Sequence, residues 1–175
     1  LIMRSLTEAM RALILVSAEI MEEAEKEKSK MNLEAFLIPI IKGWCTELAQ
    51  EVTSLGVQIH GGMGYIEETG AAQIMRDARI LPIYEGTNAI QANDLMFRKT
   101  LKDSGETAQQ ILTIIKDEVQ CDEEILQAVN KCEEVLGFIL DSRNDKEALS
   151  CISYDFMMGF GSVSYTHLRA HETRS

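Results

Sequence analysis

Residues 58–91 read QIHGGMGYIEETGAAQIMRDARILPIYEGTNAIQ, and the rest of the chain is best read outward from them. Gly61, Gly62, Gly64 and Gly70 interrupt an apolar repeat that has run at helical spacing since Phe36. Clustered glycines between two helical patterns mark a tight connection between helices. Ala71–Arg79 fits a short helix ended by Pro82, and Leu81–Glu85 is expected as a short extended apolar stretch. From Gly86 or Thr87 a further helix is expected to about Lys102, with Ile90, Phe97 and Leu101 on its apolar side.

Upstream, Met3, Leu6, Met10, Leu13, Ile14 and Met21 recur at spacings that predict one helix from Met3 to about Lys28. The mixed charges of Glu22–Lys30 read as its exposed end, followed by a loop. Phe36, Leu37, Ile40, Ile41, Trp44, Leu48, Val52 and Leu55 predict a second helix over about Leu33–Leu55, with Asn32 as a candidate N-cap. Pro39 either kinks its early turn or sits near its first position, which favours a helix counted from about Ile38. Downstream, helices are predicted over 106–120 and over 123–140, the latter after Asp122, a good N-cap. Asn144 and Glu147 have capping-box spacing and open another helix through Leu149, Ile152 and Phe156.

Composition agrees with an all-α chain. Among 175 residues there are only two prolines, aromatics are 6%, and 46% are hydrophobic. The formal charge is −11, which argues against a phosphate-seeking nucleic-acid binder. No apolar run is long enough for a membrane span. The charge is uneven: residues 1–100 carry 10 basic and 14 acidic side chains, 101–161 carry 5 and 13, and 162–175 carry 2 and 1. These steps divide the chain into 1–102, an acidic helical extension over 103–161 whose charges solvate its outer faces, and a tail over 162–175. The tail, with VSYTHLRAHETR, lacks an apolar period and resembles a translated sequencing adapter, so it is read as non-native. The chain opens directly in a helical pattern, as if entered midway. His167 and His171 stand four apart without a third ligand nearby, so no metal site is expected. Cys45, Cys121, Cys132 and Cys151 show no CxxC spacing and read as reduced thiols.

Three features of residues 58–91 could carry chemistry. Gly62-Met63-Gly64 fails as a dinucleotide fingerprint, because Glu67 holds the sixth position and a helix precedes where a strand is needed. The glycines either let backbone amides approach an anion or simply make a tight loop. Arg76 and Arg79 share a helix face and read as ion-pairing anchors, with Glu67 or Glu68 as partners. Glu85 ends an apolar stretch beside Gly86 and Thr87. It is either a base in a dry cleft or an acid satisfying a helix N-terminus. Free amides at Gly86, Thr87 and Asn88 would favour an anionic ligand.

The ordered blocks QIHGGMG (Gln58–Gly64), RDARI (Arg76–Ile80) and IYEGTNAIQ (Ile83–Gln91), with PIIKGW (Pro39–Trp44) upstream, resemble the C-terminal helical domain of the acyl-CoA dehydrogenase family. The likeness covers roughly residues 1–105 and looks most like the subgroup that includes methylthiopropionyl-CoA dehydrogenases. It implies an up-down helical bundle with an additional helical extension, and an FAD enzyme forming trans-2-enoyl-CoA from a saturated acyl-CoA. It makes Glu85 the base that removes the α-proton. It assigns Gln58, Gly61, Gly62, Thr87 and Asn88 to the FAD site, the first three meeting FAD on a neighbouring subunit. Tyr84 and Gly86 would line the acyl-CoA site, with the Glu85 amide polarising the thioester. Ala89 stands where the family often has glutamine. The resemblance further implies a homo-oligomer (dimer or tetramer), an electron-transfer flavoprotein as acceptor, and a bacterial cytoplasmic or mitochondrial-matrix setting. Of the family's three domains this chain would supply the third, inactive alone and with little FAD affinity. The competing expectation is a non-catalytic helical interaction or oligomerisation domain.

Overall fold

The computed structural model describes residues 1–27, 30–119 and 122–172, excluding the side chains of 118 and 165–172. The helices are α1 (Ile2–Lys26), α2 (Met31–His60), α3 (Gly62–Tyr65), α4 (Ala71–Arg79), α5 (Asn88–Asn93), α6 (Glu106–Glu118), α7 (Glu123–Asp141) and α8 (Lys146–Glu172). There is no strand among the described residues. A 3₁₀ turn, Glu67–Thr69, precedes α4, and a π-helical stretch, Asp94–Thr100, continues α5. Cys121 lies outside the described residues.

α2 is the central element. It packs against α1, α4, α5 and α8. It starts seven residues before the expected Ile38, at Met31, with Lys30 rather than Asn32 at the N-cap, and it carries Pro39 inside. A proline inside a helix costs about 3 kcal/mol. The helix persists around it because Phe36 and Leu37, on the turn before Pro39, are buried in the core. At its far end α2 continues past Leu55 to His60, where Gly61 at φ 59° stops it.

One hydrophobic core joins both halves of the chain. Leu13 of α1 and Phe36, Ile40 and Trp44 of α2 share it with Leu112, Leu136, Leu149 and Phe160 of α6, α7 and α8. Phe160 packs edge-on against Phe36 with centroids 5.3 Å apart, and against Phe156 at 4.9 Å. Such pairs add about 0.5–1.5 kcal/mol beyond their burial. α8 comes close to α2 because Gly161 has no side chain. A Cβ there would stand 2.3 Å from Trp44 Cγ. Trp44 Nε1 also donates to Ser162 Oγ at 3.2 Å.

Several local expectations need correction. Beyond Asn93 the chain widens into π-helical turns, with the Leu101 amide bonded to the Met96 carbonyl and Thr100 Oγ1 to the Leu95 carbonyl. Leu95 and Met96 are fully buried in the core, whereas Ile90, expected on the apolar side, is 60% exposed. The cap of α8 is Asp145, whose Oδ1 accepts from the Ala148 amide, and not Asn144. Asp122 caps α7 as expected, accepting from the Glu124 and Ile125 amides. Burial pushes the Cys45 thiol up to about 12 and Cys132 to about 11, so neither is a thiolate at neutral pH.

α8 crosses residue 162 without interruption, and Val163 and Ser164 remain buried. The side chains of His167 and His171 lie outside the described residues. Ser164 sits in an apolar cleft beside Leu13, Leu37 and Ile115, and its Oγ has no hydrogen-bond partner among the described residues. Two substitutions on α8 should move thermal unfolding, followed by helical circular dichroism, in opposite directions. Gly161→Ala forces a methyl into Trp44 and should destabilise by about 1–3 kcal/mol. Ser164→Val removes the orphan hydroxyl, fills the cleft and should stabilise by about 1 kcal/mol.

Candidate functional site

The turn from Ile80 to Thr87 links α4 to α5. It is not the extended stretch expected from its apolar residues. The Leu81 amide bonds to the Ala78 carbonyl, and the Ile83 and Tyr84 amides both bond to Ile80, so the chain winds in successive turns. Pro82 favours this by fixing φ and removing a donor. The winding ends in two consecutive left-handed residues, Glu85 at φ 53° and Gly86 at φ 90°. For glycine that conformation is easy, whereas for a residue with a side chain it costs about 1–3 kcal/mol. The result is an exposed Glu85 carboxylate at the apex of a strained turn.

The backbone around it is open. The amides of Glu85, Gly86 and Thr87 have no acceptor among the described residues. Successive unpaired amides in a turn form a concavity that suits an anion or a polarised oxygen. Gln91 Nε2 holds the Glu85 carbonyl at 3.5 Å. Thr87 is the N-cap of α5, its Oγ1 accepting from the Ile90 amide at 3.3 Å. The open set differs from the expected one by a residue. The Asn88 amide is used, donating to the Pro82 carbonyl at 3.0 Å, and the Glu85 amide is open instead.

The Asn88 side chain is 4% exposed and anchors the turn to α2. Its Nδ2 donates to Glu47 Oε1 at 2.7 Å, to Thr46 Oγ1 at 2.9 Å and to the Gly43 carbonyl at 3.3 Å. Its Oδ1 accepts from Lys42 Nζ at 2.8 Å. Burial pushes the Lys42 ammonium below the ordinary lysine range, against the opposing pull of the Glu47 and Glu85 carboxylates. From α8, Tyr154 borders the same cluster. Burial first, then the Glu47 carboxylate, pushes its hydroxyl up to about 12. The sequence reading missed Lys42, Thr46, Glu47 and Tyr154. A lone lysine inside the apolar run Ile40–Trp44 was the available signal.

The remaining candidates lie elsewhere. Gln58, Gly61 and Gly62 stand exposed where α2 ends. From Glu47 to Gln58, α2 rises about 16 Å, so the fold does not bring this group to Glu85 within one chain. A Cβ at Gly61 or Gly62 would meet nothing within 4 Å, whereas one at Gly64 would stand 2.3 Å from the Val57 carbonyl oxygen. Gly64 therefore serves the fold, and the other two leave backbone accessible. Arg76 pairs with Glu67 at 2.6 Å, one of the two expected partners. Among the described residues, no group of three His, Cys, Asp or Glu side chains could hold a metal ion.

Comparison with known proteins bears on this arrangement. The family described as acyl-CoA dehydrogenase, C-terminal domain, matches residues 2–99. The 3-methylmercaptopropionyl-CoA dehydrogenase of Ruegeria pomeroyi is 58% identical over 118 residues, covering 65% of this chain and 20% of that protein. A broad-specificity linear acyl-CoA dehydrogenase of Mycobacterium tuberculosis is 34% identical over 109 residues, covering 58% of this chain and 18% of that protein. The chain thus spans about a fifth of the length of the curated relatives it matches. The solved structure of Caenorhabditis elegans ACDH-11 in complex with C11-CoA shares the fold, with a TM-score of 0.74 at 20% identity over 98% of this chain and 31% of that one.

The strain at Glu85 makes a stability prediction. Glu85→Gly should raise stability by about 1 kcal/mol, a rise of roughly 2–4 °C in the melting midpoint. A fall of similar size would show that the turn is relaxed with glutamate in place.

Proposed function

The chain belongs to the acyl-CoA dehydrogenase family, as its C-terminal domain, and on that premise we propose that it supplies the catalytic base of an FAD-dependent acyl-CoA dehydrogenase. The observation that carries this reading is the left-handed turn that exposes Glu85 beside its own unpaired amide. An α-CH next to a thioester is a very weak acid, so its removal needs both a placed base and a donor to the carbonyl oxygen as negative charge develops. The Glu85 carboxylate takes the α-proton, and the Glu85 amide donates to the thioester oxygen. Tyr84 and Gly86 flank the base and line the acyl-CoA site. The product is a trans-2-enoyl-CoA.

The residues present fit FAD. The backbone at Gly61 and Gly62 is open to close approach, and Gln58 and Thr87 are exposed. When bound, FAD supplies the acceptor for the β-hydrogen, which leaves as hydride. Thr87 serves the site beside its own Glu85, with Asn88 contributing by holding Thr87 in place. Gln58, Gly61 and Gly62, distant along α2, serve the FAD of a neighbouring subunit, which makes the enzyme a homo-oligomer. Apolar exposure supports this. Ten of the twenty large hydrophobics exposed among the described residues fall between Ile59 and Ile90, including Met63, Tyr65 and Ile74. An electron-transfer flavoprotein is the proposed electron acceptor. No helix among the described residues is long and apolar enough to cross a membrane.

The same exposed apolar residues favour a second reading, a non-catalytic interaction and oligomerisation domain. Glu85→Gln in the full-length protein separates the two. Turnover of acyl-CoA should fall by at least about a hundredfold with FAD still bound. Turnover close to that of the parent would remove Glu85 from catalysis and leave the interaction reading.

A further inference from the structure

Beyond the hold of Asn88 on Thr87, the buried cluster beneath the turn has no place in the chemistry above, yet it is bonded to the residue that closes the turn. Asn88 lies three residues after Glu85, and among the described residues its buried side chain makes hydrogen bonds only to α2. With its amide on the Pro82 carbonyl, Asn88 closes the loop that Glu85 and Gly86 complete. An amide oxygen buried this deeply needs a donor. Lys42 supplies one at 2.8 Å, and Thr46 Oγ1 approaches the same oxygen at 3.2 Å. Thr46 Oγ1 also donates to the Lys42 carbonyl at 2.7 Å, so Lys42 is the cluster's one charged donor to Asn88. Glu47 on the other side of Asn88 neutralises it.

We propose, resting on the reading of Glu85 as the base, that Lys42 is a positioning residue for Glu85, acting through Asn88 to hold the left-handed turn in place. A glutamate in that conformation lies above its relaxed state, and the turn stays strained only while its neighbours over-determine it. Lys42 and Asn88 form the contact that does so from below. Remove the Lys42 ammonium and the Asn88 oxygen loses its strongest partner. The turn can then relax, and the carboxylate moves off the line of the α-proton. Misplacement of about 1 Å is enough to cost a factor of up to roughly 10² in rate. The electrostatics agree with this geometry, since the Lys42 ammonium feels the Glu85 carboxylate across the cluster.

The test uses the full-length holoenzyme and reads the half-reaction, bleaching of bound flavin by acyl-CoA without an electron acceptor. Lys42→Met and Lys42→Gln should slow bleaching about tenfold or more while FAD content and the KM for acyl-CoA stay near those of the parent, with a fall of only a few degrees in melting midpoint from the lost buried partner. The isotope effect with α-deuterated acyl-CoA should grow, because proton removal becomes slower. Lys42→Arg, which keeps a charged donor, should recover most of the rate. Bleaching at the parental rate in either neutral variant overturns the proposal. So does a loss confined to KM or to FAD content, which marks a structural role only. Glu85→Gln is run in parallel. If it bleaches normally, the reading of the base is at fault. If it is inactive while both neutral Lys42 variants are normal, only the role of Lys42 falls.

Discussion

The close approach of α2 and α8 is the constraint on which the rest of this structure depends. Trp44 lies over the position where Gly161 lacks a side chain, and at that distance no Cβ can be accommodated without displacing the Trp44 ring. The approach brings Phe160 onto Phe36 and lets one core run from α1 through α2 to α6, α7 and α8. The boundary near residue 102 is therefore a step in charge, and the core runs through it. The likeness in fold to ACDH-11, over 98% of the chain, likewise includes the helices beyond that point.

A rigid α2 is also what allows a strained turn to exist. The cost of a left-handed Glu85 is offset by bonds made elsewhere, and those bonds converge on Asn88 from one face of α2: the Gly43 carbonyl, Thr46, Glu47 and Lys42. Residues 42, 43, 46 and 47 share that face because three or four residues return a helix to the same side. Were α2 to fray at Pro39, the first of these would lose its register. The burial of Phe36 and Leu37 before the proline thus reaches the candidate site through the helix, although neither side chain is part of it.

What was legible in the sequence divides along physical lines. Periodicity is a property of one helix against one core, so α1, α4 and the start of α7 could be read almost to the residue. Glu85, Gly86, Thr87 and the glycines at 61 and 62 stood out because IYEGTNAIQ and QIHGGMG are contiguous blocks. Features set by tertiary packing were not legible. Pro39 is held inside α2 by the burial of its neighbours, while the π-helical stretch and the winding of Leu81–Glu85 rest on backbone turns that an apolar period does not encode. The cluster of Lys42, Asn88, Glu47 and Tyr154 is the extreme case. Its members are spread over more than a hundred positions, and no window of sequence contains them.

The acidic stretch after residue 101 shows why composition describes the outside of a helix better than its task. Among the described residues most of its carboxylates are exposed, and the pair of Glu133 with Lys116 at 2.9 Å is partly exposed and of small energetic weight. The inner face of α8 behaves differently. Ser153, 2% exposed, donates to Asn93 Oδ1 at 3.0 Å at the end of α5, and Tyr154 borders Glu47 beneath the turn. α5 begins at Asn88, so α8 bears on the candidate base through both the end and the start of that helix. Recolouring the outer face of α8 leaves those contacts alone, whereas a shift of the helix by one residue would break both. The net charge of the extension therefore says little about its bearing on Glu85, and its register says nearly everything.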